Sequence, residues 1–168
     1  LHDALPISGG LTAKPKFPRR KEGQGRIRFL TRAEEKAVLE CFRQWSDEDM
    51  VDLVTVLVDT GMRVGEALKL QHRDVDLDAR KIHVWVTKNG QPRGVPMTSR
   101  VHEILARRQT QHLCQRLFTL TFWSAHYRWT RMRHHLGFDK DPQFVMHALR
   151  HTCASRLVQS GKVSLRVV

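Results

Sequence analysis

The chain has 168 residues, 40% of them hydrophobic and 27% charged, a balance that suits one soluble globular domain and excludes a disordered tail. Lysine and arginine number 29 against 17 aspartates and glutamates, a formal charge of +12. That excess points to a polyanion as partner, nucleic acid ahead of a membrane surface, and no run approaches the ~18 apolar residues of a spanning helix.

The first eight residues, LHDALPIS, resemble the translation of a short sequencing adapter and are set aside. Residues 9–25, GGLTAKPKFPRRKEGQG, read as a basic linker without apolar periodicity, and residues 26–168 as the folded domain. In FLTRAEEKAVLECFRQW, Thr31 with Glu34 forms a capping box, and Ala37, Leu39, Phe42 and Trp45 supply a helical apolar stripe. DEDMVDLVTVLVDTG carries acids in its first turn and Gly61 at its end, and its near-continuous apolar centre predicts a buried helix. VGEALKL predicts a short helix with Val64, Ala67 and Leu68 facing inward.

Period two then replaces period 3.6. KIHVWV sets Ile82, Val84 and Val86 against His83 and Trp85, Asn89-Gly90 is a hairpin turn, and Pro92 and Pro96 confine the returning strand to a sheet edge. SRVHEILARRQ returns to helix, QHLCQRLFTLTF is ambiguous, and SAHYRWTRMRHHL is a helix with Arg128, Arg131 and Arg133 spread around it. The fold class expected is α+β, mostly α-helical, with a small antiparallel sheet inserted between helices. The odd count of three cysteines, Cys41, Cys114 and Cys153, without paired spacing suggests buried, reduced thiols in a cytosolic protein.

Three stretches carry groups suited to chemistry. In TGMRVGE, Arg63 follows a helix-ending glycine, and Glu66 three residues on can orient its fork; a surface ion pair is the bland alternative. Lys88 precedes the Asn-Gly turn, where it is either a reaching ammonium or a solubilising loop lysine. In HALRHT, His147, Arg150 and His151 share one helix face beside a stripe of Leu149, Cys153 and Leu157, which suits a solvated basic face, a metal pair or a phosphate site. Metal is disfavoured: Arg150 lies between the two rings and no carboxylate or thiol ligand is close in sequence.

Taken in order, TGMRVGEALKLQHRDVDL, TKNGQPRGVPM and MHALRHTCASRLVQSG resemble the catalytic domain of the tyrosine recombinases, the phage integrase family. The resemblance covers roughly Gly25 to Val168. It implies an integrase-like catalytic domain in which Arg63 and Arg150 grip the scissile phosphate, Lys88 is the general acid toward the leaving 5′ oxygen, and His147 assists proton transfer. It further implies that Glu66 braces Arg63 and that His151 supports the same helix. No metal or other cofactor is implied, because arginines supply the positive charge. The partners implied are double-stranded DNA and further copies of the chain on paired DNA sites, with no membrane and no small-molecule substrate. A prokaryotic, nucleoid-associated location goes with them.

The family's nucleophile is a tyrosine on a helix beyond HALRHT, preceded by a histidine or tryptophan, and both positions fall beyond Val168. The polypeptide is therefore expected to be a piece of a longer product that does not itself cut DNA. Its only tyrosine, Tyr127, precedes Arg150 and is expected to be a packing residue with a hydrogen-bonded hydroxyl. A catalytically dead, DNA-binding remnant of an integrase is the alternative reading, and a nucleic-acid-binding domain of unrelated fold a third.

Overall fold

A computed structural model describes residues 28–85, 91–111 and 114–161. The expectations for Val86, Lys88, the Asn89-Gly90 turn, the linker and residues 162–168 lie outside the described residues.

Helix α1 (Arg32–Gln44) starts at the expected capping box: the Glu34 amide donates to the Thr31 hydroxyl at 3.2 Å, and the Glu34 carboxylate accepts from the Thr31 amide at 2.8 Å. Its buried face runs Glu35, Val38, Leu39 and Phe42. Ala37 is exposed, contrary to the sequence reading. Leu39 and Phe42 are buried as expected, and Glu35 and Val38 take inward positions in place of Ala37.

Helix α2 (Glu48–Thr60) is capped by Asp47, ends at Gly61 with φ 64°, and buries every residue from Met50 to Val58. A helix apolar on all sides is a core helix, and α2 packs against α1, α4 (Ser99–Gln111) and α6 (His147–Gln159). One polar residue at its centre, Asp52, is 1% exposed. It is met by Arg108 of α4, itself 2% exposed, whose Nε donates to Asp52 at 2.6 Å while Nη1 donates to the Leu117 carbonyl and Nη2 to Asp49. The Arg108 guanidinium also lies 4.4 Å from the Phe118 ring centroid.

After the short helix α3 (Val64–Ala67) comes a three-stranded antiparallel sheet of β1 (Val75–Asp76), β2 (Lys81–Val84) and β3 (Arg93–Pro96) in sequential order. Ile82 faces Val75 on one side and Val95 on the other, which buries the alternating face as the period-two pattern requires. The strand bearing Pro96 is at the edge, as expected. β1 was not foreseen: two residues are too few to show alternation. Residues 114–121 of the ambiguous segment form an extended crossing between α4 and α5, pinned where the Leu117 amide donates to the Leu70 carbonyl and Gln71 bridges Arg116.

Helix α5 (Phe122–His135) buries Ala125, Trp129 and Met132. Tyr127 stands between these positions on the opposite side and is 70% exposed, and among the described residues its hydroxyl has no hydrogen-bond partner, so it is not the packing residue expected. The three arginines of α5 are tethers: Arg128 pairs with Asp47 at 2.7 Å, Arg131 covers the Trp45 ring, and Arg133 donates to the Asp141 carbonyl at 2.7 Å. In α6 the buried face is Ala148, Leu149, Thr152 and Cys153. Leu157 turns outward because Arg156 takes the inward position, reaching buried Glu35 at 2.6 Å. Cys41 and Cys153 are buried free thiols, whereas Cys114, in the extended crossing, is exposed. No helix among the described residues is long and apolar enough to cross a membrane.

Candidate phosphate-binding site

The site forms where the C-terminal end of α2 meets the first turn of α6. Gly61 adopts the left-handed conformation that ends α2, and a Cβ there would come within 3.2 Å of the Cys153 sulfur. Glycine therefore serves both the turn and the close approach of α6. That approach lets the Arg150 Nη1 donate to the Gly61 carbonyl, which ties the arginine of α6 to the turn that presents Arg63.

Arg63 precedes α3, and Glu66 in its first turn folds back on it. The Arg63 amide donates to Glu66 Oε2 at 2.9 Å and its Nη1 to Oε1 at 3.0 Å. A third arginine completes the arrangement. Arg93 of β3 lays both Nη1 and Nη2 on the same carboxylate, at 3.1 and 2.6 Å. Burial pushes the Glu66 carboxyl up, but the hydrogen bonds from Arg93 and from the amide and guanidinium of Arg63 outweigh it, so the group sits below the usual carboxylate range. Among the described residues, three guanidiniums against one carboxylate leave two positive charges uncompensated. Arg150 registers them: burial, then the neighbouring charges of Arg63 and Arg93, hold it below the usual arginine value.

On the adjoining turn of α6 the His147 and His151 rings meet edge to face with centroids 4.7 Å apart. Burial, His147 and Arg150, in that order, lower the His151 pKa. Among the described residues no three His, Cys, Asp or Glu side chains are grouped to hold a metal ion. A cleft of about 490 Å³ runs from Arg63 and Glu66 along Lys69 and Arg73 to His83 and Trp85.

Of the sequence-derived candidates, Arg63 and Glu66 are brought together with Arg150, more than 80 residues on, and His147 and His151 flank Arg150 on its own helix, while Lys88 lies outside the described residues. Arg93 is the residue that sequence reasoning passed over. Its signal was present: β3 alternation places it opposite Val84 on the inward face, where an unpartnered arginine would be costly.

A mostly helical domain with a small antiparallel sheet thus carries, where α2 meets α6, a cluster of arginines around a single carboxylate. Residues 28–168 match the phage integrase family, and the chain belongs to it. It is 29% identical over 154 residues to the tyrosine recombinase XerA of Saccharolobus solfataricus, covering 90% of this chain and 49% of that protein. It is 30% identical over 155 residues to the shufflon-specific DNA recombinase of Escherichia coli, covering 92% of this chain and 38% of that one. The chain thus spans about half or less of the length of these curated relatives. The Tn1549 transposon integrase, solved in complex with circular intermediate DNA, shares the fold with a TM-score of 0.69 at 20% identity, over 86% of this chain and 56% of that one.

His151 offers a pH test of the site. With its folded pKa below the ordinary value of about 6.5, the folded state favours the neutral ring. Its contribution to stability is intact above that value, falls as pH drops below it, and levels off under the folded pKa. An anion seated beside Arg150 reverses the balance. In a histidine NMR titration, His151 is expected to titrate below the ordinary histidine value and to move upward when duplex DNA is added. An unchanged midpoint would place the anion elsewhere.

Proposed function

We propose that the arginine pocket holds one phosphate of double-stranded DNA and that the intact protein is a site-specific recombinase or integrase, a DNA strand transferase working through a 3′-phosphotyrosine intermediate. The observation that carries this reading is the pair of uncompensated positive charges around Glu66. A phosphodiester bears one negative charge in the ground state and gains a second as a nucleophile attacks, so fixed guanidiniums there favour the transition state over the ground state.

In this reading Arg63 and Arg150 bind the non-bridging oxygens, and Glu66 holds Arg63 in place. Lys88 protonates the leaving 5′ oxygen, His147 assists that transfer, and His151 supports the face from which His147 and Arg150 project. The nucleophile is a tyrosine outside this chain; the phosphotyrosine bond conserves the energy of the cleaved strand, so neither nucleotide nor metal is consumed. The protein would act as a homo-multimer on paired DNA sites, on the nucleoid of a prokaryotic cytoplasm. Support for the partner comes from the +12 charge and from the family.

The test is covalent capture. The product of the whole reading frame is incubated with a library of nicked suicide duplexes, which trap a phosphotyrosine because the cleaved end diffuses away. A denaturation-resistant adduct that disappears in Arg63→Ala and Arg150→Ala supports the enzyme. Duplex binding with no adduct under any condition leaves a catalytically dead, DNA-binding remnant instead.

A further inference from the structure

The Glu66 carboxylate accepts four hydrogen bonds, two on each oxygen: Oε1 from Arg63 Nη1 and Arg93 Nη1, Oε2 from the Arg63 amide and Arg93 Nη2. Four is about the full acceptor capacity of a carboxylate. The two arginines use it differently. Arg63 spends a single guanidinium nitrogen and, among the described residues, keeps Nε and Nη2 for a ligand. Arg93 commits both terminal nitrogens in a bidentate fork, the geometry in which an arginine is most firmly held.

We propose that Arg93 is a positioning residue: it fixes Glu66 so that Glu66 can aim Arg63 at the phosphate, and it does not itself grip the phosphate. This rests on the phosphate reading of the pocket. The division of labour follows from rigidity. With one partner, a carboxylate on the four-residue helix α3 could swing and carry Arg63 with it. Anchored from the sheet, 27 residues away in sequence, it cannot rotate without breaking the fork. The burial of Glu66, whose side chain is 8% exposed, means that a lost Arg93 is not replaced by free solvent.

A structural consequence is that sheet register and pocket geometry are linked. Arg93 faces Val84 across the β2–β3 ladder. A one-residue slip would turn it to the opposite face and release Glu66, so Arg63 is held in place only when the hairpin that contains Lys88 in its sequence is paired correctly at its base.

The experiment reads Arg63 directly. In the 168-residue chain, guanidinium NMR is expected to show separate Arg63 Nη signals, because the bond to Glu66 hinders rotation about Cζ–Nε. In Arg93→Ala these signals should broaden or merge while the buried Trp129 indole signal stays put, and the affinity for a random 20-base-pair duplex should weaken about 10-fold, the scale of one charged hydrogen bond. Arg93→Lys keeps the charge but gives up the fork, and should restore only part of either effect. Arg63 signals identical to the parent in a folded Arg93→Ala, or in Arg93→Lys where the alanine variant does not fold, would overturn the proposal. Loss of the fold in both variants would also overturn it, making Arg93 a purely structural residue. If the parent chain binds no duplex at all, the DNA reading fails, and the Arg63 signals still decide this one.

Discussion

On the proposed recombinase reading, replacing Arg150 by alanine is expected to lower strand cleavage about 10²–10³-fold, the usual cost of one preorganised donor to developing negative charge. The same change in the present chain should weaken duplex binding and flatten the dependence of log affinity on log salt by about one, because one phosphate contact fewer releases one counterion fewer. Arg150 spends Nη1 on the Gly61 carbonyl, which leaves the rest of its fork oriented but unspent among the described residues. Its burial and the charges of Arg63 and Arg93 already weigh against its own positive charge, so an anion is the partner that relieves the strain. Arg150→Lys should recover part of the binding and little of the rate, since a point charge cannot reproduce a planar fork. Titrating a fluorescent duplex at several salt concentrations separates the two effects, and an unchanged slope in Arg150→Ala would remove Arg150 from the phosphate site.

The largest expected loss of stability lies away from the site. Asp52→Ala should cost about 3–5 kcal/mol, the penalty for removing one partner of a buried ion pair. Arg108 would keep its bonds to Asp49 and the Leu117 carbonyl but lose the one carboxylate that is buried with it, and Arg107 would lose its partner at 2.6 Å as well. Against a total of about 5–15 kcal/mol for a domain, that is enough to unfold a substantial fraction of molecules. Urea denaturation followed by tryptophan fluorescence measures it. The double change Asp52→Ala with Arg108→Met should recover much of the loss, because a buried apolar side chain carries no unmet charge. A loss under 1 kcal/mol for Asp52→Ala alone would mean that water reaches Arg108.

Much of the scaffold was legible from local rules. The capping box at Thr31 and Glu34, Gly61 at the end of α2, the unbroken apolar centre of that helix, and the alternation of Ile82 and Val84 each depend on neighbours within one turn or one strand. The misreadings share a cause. Ala37 and Leu157 were placed inward because they are apolar, yet Glu35 and Arg156 occupy the inward positions, paired with each other at 2.6 Å from α1 to α6. A charge on a buried stripe reads as a surface residue until its distant partner is known. Arg128, Arg131 and Arg133, spread around their helix in the sequence, illustrate the same point: they are tethers to Asp47, Trp45 and Asp141.

The candidate site divides along the same line. By itself the sequence determined the basic charge, the helical frame with its edge hairpin, and the motifs that contain Arg63, Glu66, Lys88, His147, Arg150 and His151, because helix period, strand alternation and residue chemistry are properties of short segments. Only the tertiary structure decided that Arg150 docks on Gly61, that Glu66 is shared between Arg63 and Arg93, and that Tyr127 stands out in solvent. The first two come from the packing of α2 against α6 and from the ion pair that ties β3 to α3. Charge surplus and shared hydrogen bonds are sums over residues far apart in sequence, and no local pattern encodes a sum of that kind.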